Sequence, residues 1–341
     1  MNLNSHISGG FPAPHLVTVG TGPVSGPAKV LLIGPTGFIG SRILRSLHAH
    51  DDIEVSILAR RSTGLVSGDS PLTLLGDLTD QDSVRRAVSG AEVVINAAPY
   101  VGSDQKRAEE VNRGGTMAII RACEASAVRR LIQISTTAVY GSGPHRGIRP
   151  SEAQYGPESA ASRSRAAADQ AVLAAGGIVV RPSLVHGVGD RWFIPGTVRM
   201  FNALGSTIEN GAAKFSMIDV EVLGRLVAAL ALTASPTAGA FHAADPTPVT
   251  LNRLLRTINR HVREIDIAGS SSLDEAVHAL KPAGFRPHQI HMLGMDHYYE
   301  AQALWSLAAL KPKGFRLAPE TAAWYRAQTA PKKRSSTPGT A

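Results

Sequence analysis

The chain has 341 residues, 35 basic against 27 acidic side chains, a formal charge of +8, 43% hydrophobic positions and one cysteine. That length suits one large α/β unit with a smaller lobe, and a single cysteine excludes an internal disulfide and gives no sign of an oxidising compartment. The basic residues are scattered, no apolar run approaches the roughly 20 residues of a membrane span, and no basic region followed by an apolar core marks a secretory signal; no nucleic-acid or membrane partner and a cytoplasmic location are expected.

Residues 1–28 are rich in Gly, Pro, Ser and Thr and carry no Lys, Arg, Asp or Glu, so they read as a flexible lead-in. From Lys29 apolar strands and helices alternate: a strand at Lys29 to Ile33, a helix at Ile39 to His48, and strands at Glu54 to Ala59, Leu72 to Leu75 and Val93 to Ala97. Strands apolar on both faces belong to a parallel sheet covered by helices. A helix at Gly115 to Ala127, a strand at Leu131 to Ser135, a helix at Arg165 to Ala175 and a strand at Ile178 to Val180 continue the pattern. Cys123, beside Ile119 and Ile120, reads as a core position. The predicted fold is a Rossmann-like, doubly wound parallel α/β sheet with a smaller, irregular substrate lobe. Residues 29–190 form the dinucleotide-binding domain, with 218–262 returning to it; 191–217 and 263–328 form the lobe, and 329–341 a disordered tail.

The chemistry starts at GPTGFIG, Gly34 to Gly40, between the first strand and first helix. Gly34 suits the tight turn, Gly37 lets backbone approach a pyrophosphate, and Gly40 permits close helix–strand packing, while the amides near Phe38 and Ile39 and the helix dipole receive phosphate charge. A tight turn without a ligand is the alternative. The second strand ends in Arg60 and Arg61 with no acid between Val55 and Thr63. Two guanidiniums there suit the 2′-phosphate of NADPH or NADP+ better than the 2′-hydroxyl of NADH, which is expected to bind more weakly; otherwise both are solvated surface residues.

With GDLTD at Gly76 to Asp80, NAA at Asn96 to Ala98, Asn112 with Gly115 and Thr116, STTAVYG at Ser135 to Gly141 and RPSLVHG at Arg181 to Gly187, the chain resembles the extended short-chain dehydrogenase/reductases, the epimerase/dehydratase-like group, from Lys29 to about Arg326. The resemblance implies that Thr36 belongs to the phosphate loop, that Asp77 binds the adenine amine with Leu78 against the ring, that Ala97, Ala98 and Pro99 line the cofactor, and that Pro182, Ser183, Leu184 and Val185 flank the nicotinamide. The family works with a Ser/Thr, a Tyr and a Lys. Thr136 falls at the Ser/Thr position, Arg165 at the Lys position and Ala161 at the Tyr position, so the acid–base tyrosine is lost. Tyr155, upstream of that helix, is a surface, substrate-lining or catalytic residue; Tyr140 reads as structural; His186 is a satisfied polar contact or a donor in the substrate space. His291, His297, Tyr298 and Tyr299 read as an aromatic helix-packing cluster or the lining of a pocket for a flat ligand.

A positioned acid or base is worth ~10²- to 10⁴-fold in rate. Oxidising a sugar hydroxyl needs such a base, whereas reducing a ketone needs only a proton donor. The expected function is therefore an NADPH-dependent ketoreductase acting on an aromatic polyketide ketone, angucyclinone-like, in antibiotic biosynthesis, with activation assisted by a substrate hydroxyl. The alternatives are a non-catalytic NADP(H)-sensing protein on the same fold and a sugar-nucleotide epimerase or dehydratase relative. The small-molecule substrate is the expected partner, and the chain is a monomer or a homodimer.

Overall fold

A computed structural model describes residues 28–61, 72–234 and 237–329. The expected lead-in and tail fall outside them, save Ala28 at the first strand and Thr329 at the last helix.

Seven strands build the main sheet: β1 (Ala28–Ile33), β2 (Ile53–Ala59), β3 (Leu72–Leu75), β4 (Val93–Asn96), β5 (Arg130–Ile134), β6 (Ile178–Pro182) and β7 (Gly239–Ala243). Their order is β7-β6-β5-β4-β1-β2-β3, parallel throughout. The chain therefore winds outward in both directions from β1, and the crevice between the ends of β1 and β4 is where a doubly wound sheet takes a ligand. No exposed side chain interrupts β4 or β5, because helices cover both faces.

On one face lie α1 (Gly40–Leu47) and α5 (Val220–Leu232); on the other lie α2 (Gln81–Val88), α3 (Gly115–Ala125) and α4 (Ala160–Ala174). Helix α1 buries Ile43, Leu44 and Leu47 at helical spacing. It approaches α5 so closely that a Cβ at Gly224 would lie 2.6 Å from the Arg42 carbonyl oxygen. The Asp80 and Asp219 carboxylates accept first-turn amides of α2 and α5. Helix α3 is preceded by a π-wound turn, Glu109–Gly114, that carries Asn112.

Helix α4 starts at Ala160, five residues before the expected Arg165. Ser159 and Ser162 form a reciprocal capping box, which closes the helix start upstream of the apolar periodicity. Cys123 is fully buried, as its neighbours imply, and burial pushes its thiol up to about 12.

The lobe has its own core, centred on Phe201, Phe215, Ile258, Leu280 and Tyr325. Helix Leu251–His261 packs into this core, so the return to the sheet ends at β7 and not at 262. Conversely, Ala301, Leu304 and Trp305 pack into the core beneath α1 and α5. The reason is the same in both cases: an apolar stripe specifies burial but not the partner that buries it. His297–Tyr299 is a strand, parallel to His145–Ile148, rather than part of a packed helix.

Ile95 sits fully buried in the central strand among Val30, Ile132 and Ile218. Truncation to Ala is expected to cost about 2–5 kcal/mol. Urea unfolding is the check, and an unchanged midpoint would contradict the two-sided burial of β4.

Candidate active site

A cleft of about 470 Å³ opens at the β1–β4 crevice. Gly34 turns the chain at φ +83°, and a Cβ there would lie 2.8 Å from the Ala97 carbonyl oxygen. At Gly40 a Cβ would come 2.0 Å from the Gly34 carbonyl oxygen, so this glycine lets α1 start against the turn. Gly37 differs: its nearest neighbour would be 3.4 Å away, and its open side faces the cleft. Helix α1 has no acid in its first turn and no side-chain cap, so its amide-rich mouth is left for an anion from outside the chain. Thr36, Phe38 and Ile39 line the cleft around that mouth. Gly40 stands behind it.

Across the cleft lie Arg60, Asp77 and Leu78, then Ala97, Ala98 and Pro99. Arg61 is exposed and outside the wall. The Asp77 carboxylate accepts the amide and hydroxyl of Thr79 at 2.9 and 2.7 Å. Burial opposes its ionisation, but these hydrogen bonds and the charges of Arg107 and Arg60 hold the carboxyl below its usual range. The buried Asn112 accepts the Tyr100 amide at 2.7 Å and donates to the Tyr100 carbonyl and the Ser164 hydroxyl, fixing the loop after β4 to α4. These features fit a dinucleotide: an open glycine, an uncapped helix mouth, an apolar adenine wall and a cation at the end of β2.

Arg165 reaches the same cleft from α4. One Nη donates to the Ile134 carbonyl at 3.4 Å, while its Nε is buried with no hydrogen-bond partner among the described residues. Burial lowers its guanidinium to about 10, which still leaves it charged at neutral pH. One turn earlier, Ala161 offers only a methyl group. Thr136 lies beyond the end of β5 in a separate cavity of about 230 Å³, with Ser183, Leu184 and Val185. Its Oγ1 accepts the Ala138 amide at 3.2 Å, which leaves the hydroxyl proton to donate. Pro182 ends β6, buried outside the cavity wall.

The two tyrosines near the motif are committed elsewhere. Arg181, 2% exposed, donates Nε to Asp169 at 3.0 Å, one Nη to the Tyr140 hydroxyl at 2.8 Å and the other Nη to the Tyr155 hydroxyl. Tyr140 also lies 2.7 Å from His242 Nε2, and His242 Nδ1 lies 3.0 Å from the Glu300 carbonyl. A carbonyl only accepts, so Nδ1 carries the imidazole proton and the Tyr140 hydroxyl donates to Nε2. Burial pushes Tyr140 up to about 12, and it raises Tyr155 as well. Neither tyrosine lines the cleft or the Thr136 cavity. His186 lies at neither site; it faces a third cleft and meets Phe315 edge-on.

The sequence gave no local signal for several wall residues. Tyr100, Arg107 and the exposed Trp192 border the dinucleotide cleft. Glu158, His288, His297 and Tyr299 border the Thr136 cavity. His297 and Tyr299 thus line a pocket after all. Burial raises the Tyr299 pKa, while the Thr137 hydroxyl hydrogen-bonds to its phenol and works the other way.

Strand order, glycine turn and cleft define a dinucleotide-binding α/β enzyme fold. Residues 30–238 match the NAD-dependent epimerase/dehydratase family, and the chain belongs to it, among the extended short-chain dehydrogenase/reductases. UDP-glucose 4-epimerase of Vibrio cholerae is 26% identical over 226 residues, 61% of this chain and 67% of that protein. A ketoreductase of Stigmatella aurantiaca that acts on 4-hydroxy-2-methyl-3-oxo-4-farnesyl-3,4-dihydroquinoline-1-oxide is 25% identical over 177 residues, 49% of this chain and 53% of that protein. The chain therefore spans about half to two thirds of these relatives. In fold it resembles an Agrobacterium tumefaciens short-chain dehydrogenase/reductase superfamily protein with bound NAD, at a TM-score of 0.68 and 15% identity, covering 88% of this chain and 98% of that one.

The buried imidazoles set a pH dependence. Burial holds His242 at about 4 and also lowers His186 and His297, whereas an unfolded histidine titrates near 6.5. Between those values the unfolded chain binds protons that the folded chain refuses, so stability falls as pH drops from about 7 to 4, by up to about 3 kcal/mol from His242 alone. Urea midpoints measured across that range should decline, less steeply in His242→Asn. A flat profile would show that these rings titrate normally.

Proposed function

We propose that this protein is an NADPH-dependent ketoreductase that reduces a ketone of an angucyclinone-like aromatic polyketide in antibiotic biosynthesis. The observation that carries this reading is the pairing of an intact Thr136 donor with an Ala161 that leaves no phenol at the acid–base position, while the hydroxyls of the buried Tyr140 and the half-buried Tyr155 both accept from Arg181. A sugar epimerase must deprotonate an alcohol, and the Thr136 cavity offers no phenol paired with a cation for that, only the imidazoles of His288 and His297, of which His297 Nε2 already accepts the Gly143 amide. Tyr299 retains its proton, and Glu158 accepts the Ser142 amide at 2.7 Å, which stabilises its carboxylate as a weak base. A non-catalytic sensor has no use for a walled cavity beside a free threonine donor. The Stigmatella relative supports ketone reduction within the family.

When bound, the cofactor supplies the hydride. This chain's residues do the rest: the mouth of α1 holds the diphosphate, Arg60 the 2′-phosphate, Asp77 the adenine, and Arg165, with its unpartnered Nε, the ribose hydroxyls next to the nicotinamide. Thr136 donates a hydrogen bond to the substrate oxygen. A phenol beside the ketone on the substrate polarises the carbonyl and provides the proton that Ala161 does not. Its contribution is expected to be of the size of a positioned acid, ~10²- to 10⁴-fold.

Incubation with NADPH and peri-hydroxylated polycyclic quinones, followed at the nicotinamide absorbance band, should show turnover, and O-methylation of the adjacent phenol should slow it by at least ~10²-fold. Tight NADPH binding without turnover across such a panel would sink the enzyme reading in favour of a sensor.

Cofactor choice is tested at Arg60→Ala. Loss of a charge-assisted contact of about 1.5–3 kcal/mol should weaken NADPH roughly 10- to 100-fold and leave NADH binding unchanged. Equal weakening of both cofactors would remove Arg60 from 2′-phosphate recognition.

A further inference from the structure

The third cleft, of about 180 Å³, shares no wall residue with the dinucleotide cleft or the Thr136 cavity. It lies between the start of α5, the end of β7 and the segment from Trp305 to Ala318. Its floor is apolar: Met217, Trp305 and Phe315 are each under a tenth exposed. Trp305 is fixed by donating its indole N–H to the Ala244 carbonyl at 2.7 Å, so the floor is rigid.

Three polar side chains border this floor, His186, Asp219 and Asp245. His186 is 3% exposed, and its Nδ1 is buried with no hydrogen-bond partner among the described residues; the nearest carboxylate oxygen, on Asp219, is 3.9 Å away. An unpaired buried imidazole nitrogen is a desolvated polar group that a hydrogen-bonding ligand would satisfy. Burial keeps the ring neutral. Backbone amides occupy both oxygens of Asp245, from Thr247 and Gly314, but only Oδ1 of Asp219, from Glu221 and Val222, so Asp219 Oδ2 stays on the His186 side of the cleft.

The rim is the reverse in character. Arg225, Lys311, Lys313 and Arg316 are all exposed, and none forms an ion pair among the described residues. Four cations around an apolar hollow with a neutral hydrogen-bonding group at its depth match a flat molecule with a carboxylate at one end and a hydroxyl at the other. At about 10–15 Å³ per water, the cleft displaces on the order of a dozen waters, room for one aromatic ring and a short arm.

We infer that this cleft is a second small-molecule site, independent of the dinucleotide, that takes a hydroxyaryl carboxylate: carboxylate on the Lys311 and Arg316 rim, ring between Trp305 and Phe315, hydroxyl on His186. The inference does not depend on the ketoreductase reading, since none of these residues belongs to that machinery.

The test is calorimetric titration of the full chain with 4-hydroxycinnamate, with and without saturating NADPH. Binding is expected in both cases. Cinnamate, lacking the hydroxyl, should bind roughly 5-fold more weakly, the value of one neutral hydrogen bond. His186→Leu should erase that difference. The Lys311→Ala/Arg316→Ala double variant should lose roughly 10-fold, and 4-hydroxycinnamamide should bind wild type and double variant alike. No heat up to millimolar ligand, displacement by NADPH, or equal affinity for the acid and the amide would each overturn the assignment.

Discussion

Arg181 is the group on which the arrangement of this molecule turns. Its guanidinium joins β6 to α4 through Asp169, to the segment after β5 through Tyr140, and to the loop before α4 through Tyr155. Tyr140 then passes the connection to β7 through His242 and on to the backbone of Glu300. Such a buried charge is tolerated because each of its three guanidinium nitrogens donates to a partner and one of those partners is a carboxylate. Burial raises the pKa of Asp169, yet the Arg181 and Arg165 guanidiniums beside it favour its carboxylate. The same three hydrogen bonds that satisfy Arg181 position both ends of the active site: α4 presents Arg165 to the dinucleotide cleft, and the end of β6 leads into the wall of the Thr136 cavity.

That network also explains why the missing phenol is not replaced by a neighbour. A tyrosine serves as an acid–base group when its oxygen faces substrate and a nearby cation lowers its pKa. Tyr140 and Tyr155 have the cation, but Tyr140 is buried and the half-buried Tyr155 turns its hydroxyl inward onto Arg181, and burial outweighs the charge for both. Tyr299 has the position on the cavity wall but no cation beside it. Arg165 keeps a charge on the wall of the dinucleotide cleft, whereas Ala161 one turn earlier can neither give nor take a proton.

Sequence patterning revealed the sheet and the glycine turn because both rest on short-range features. The strands are continuous apolar runs, and the glycine turn occupies seven consecutive residues. The substrate side rests on long-range pairings. The strand His145–Ile148 meets His297–Tyr299 across some 150 positions, and segments of three or four residues are too short to show a period. The committed state of Tyr155 was equally hidden: a tyrosine in a Gly- and Pro-flanked loop reads as exposed, and only the packing of β6 against α4 shows where its hydroxyl goes. The start of α4 was legible in principle from Ser159 and Ser162, a serine pair standing in for the commoner Ser–Glu box.

The π-wound turn at Glu109–Gly114 acts as a phase shifter. One residue inserted into an α-helix advances every later side chain by about 100° around the axis. At that angle Asn112, Ile119 and Cys123, seven and eleven positions apart, would share one face of a straight α-helix; with the π turn between, Asn112 bonds to the Tyr100 backbone and Ser164 while Ile119 and Cys123 downstream pack into the core. Insertions and deletions in this segment are consequently not equivalent to those in a surface loop, because each would rotate Asn112, and the loop it holds, out of step with the core.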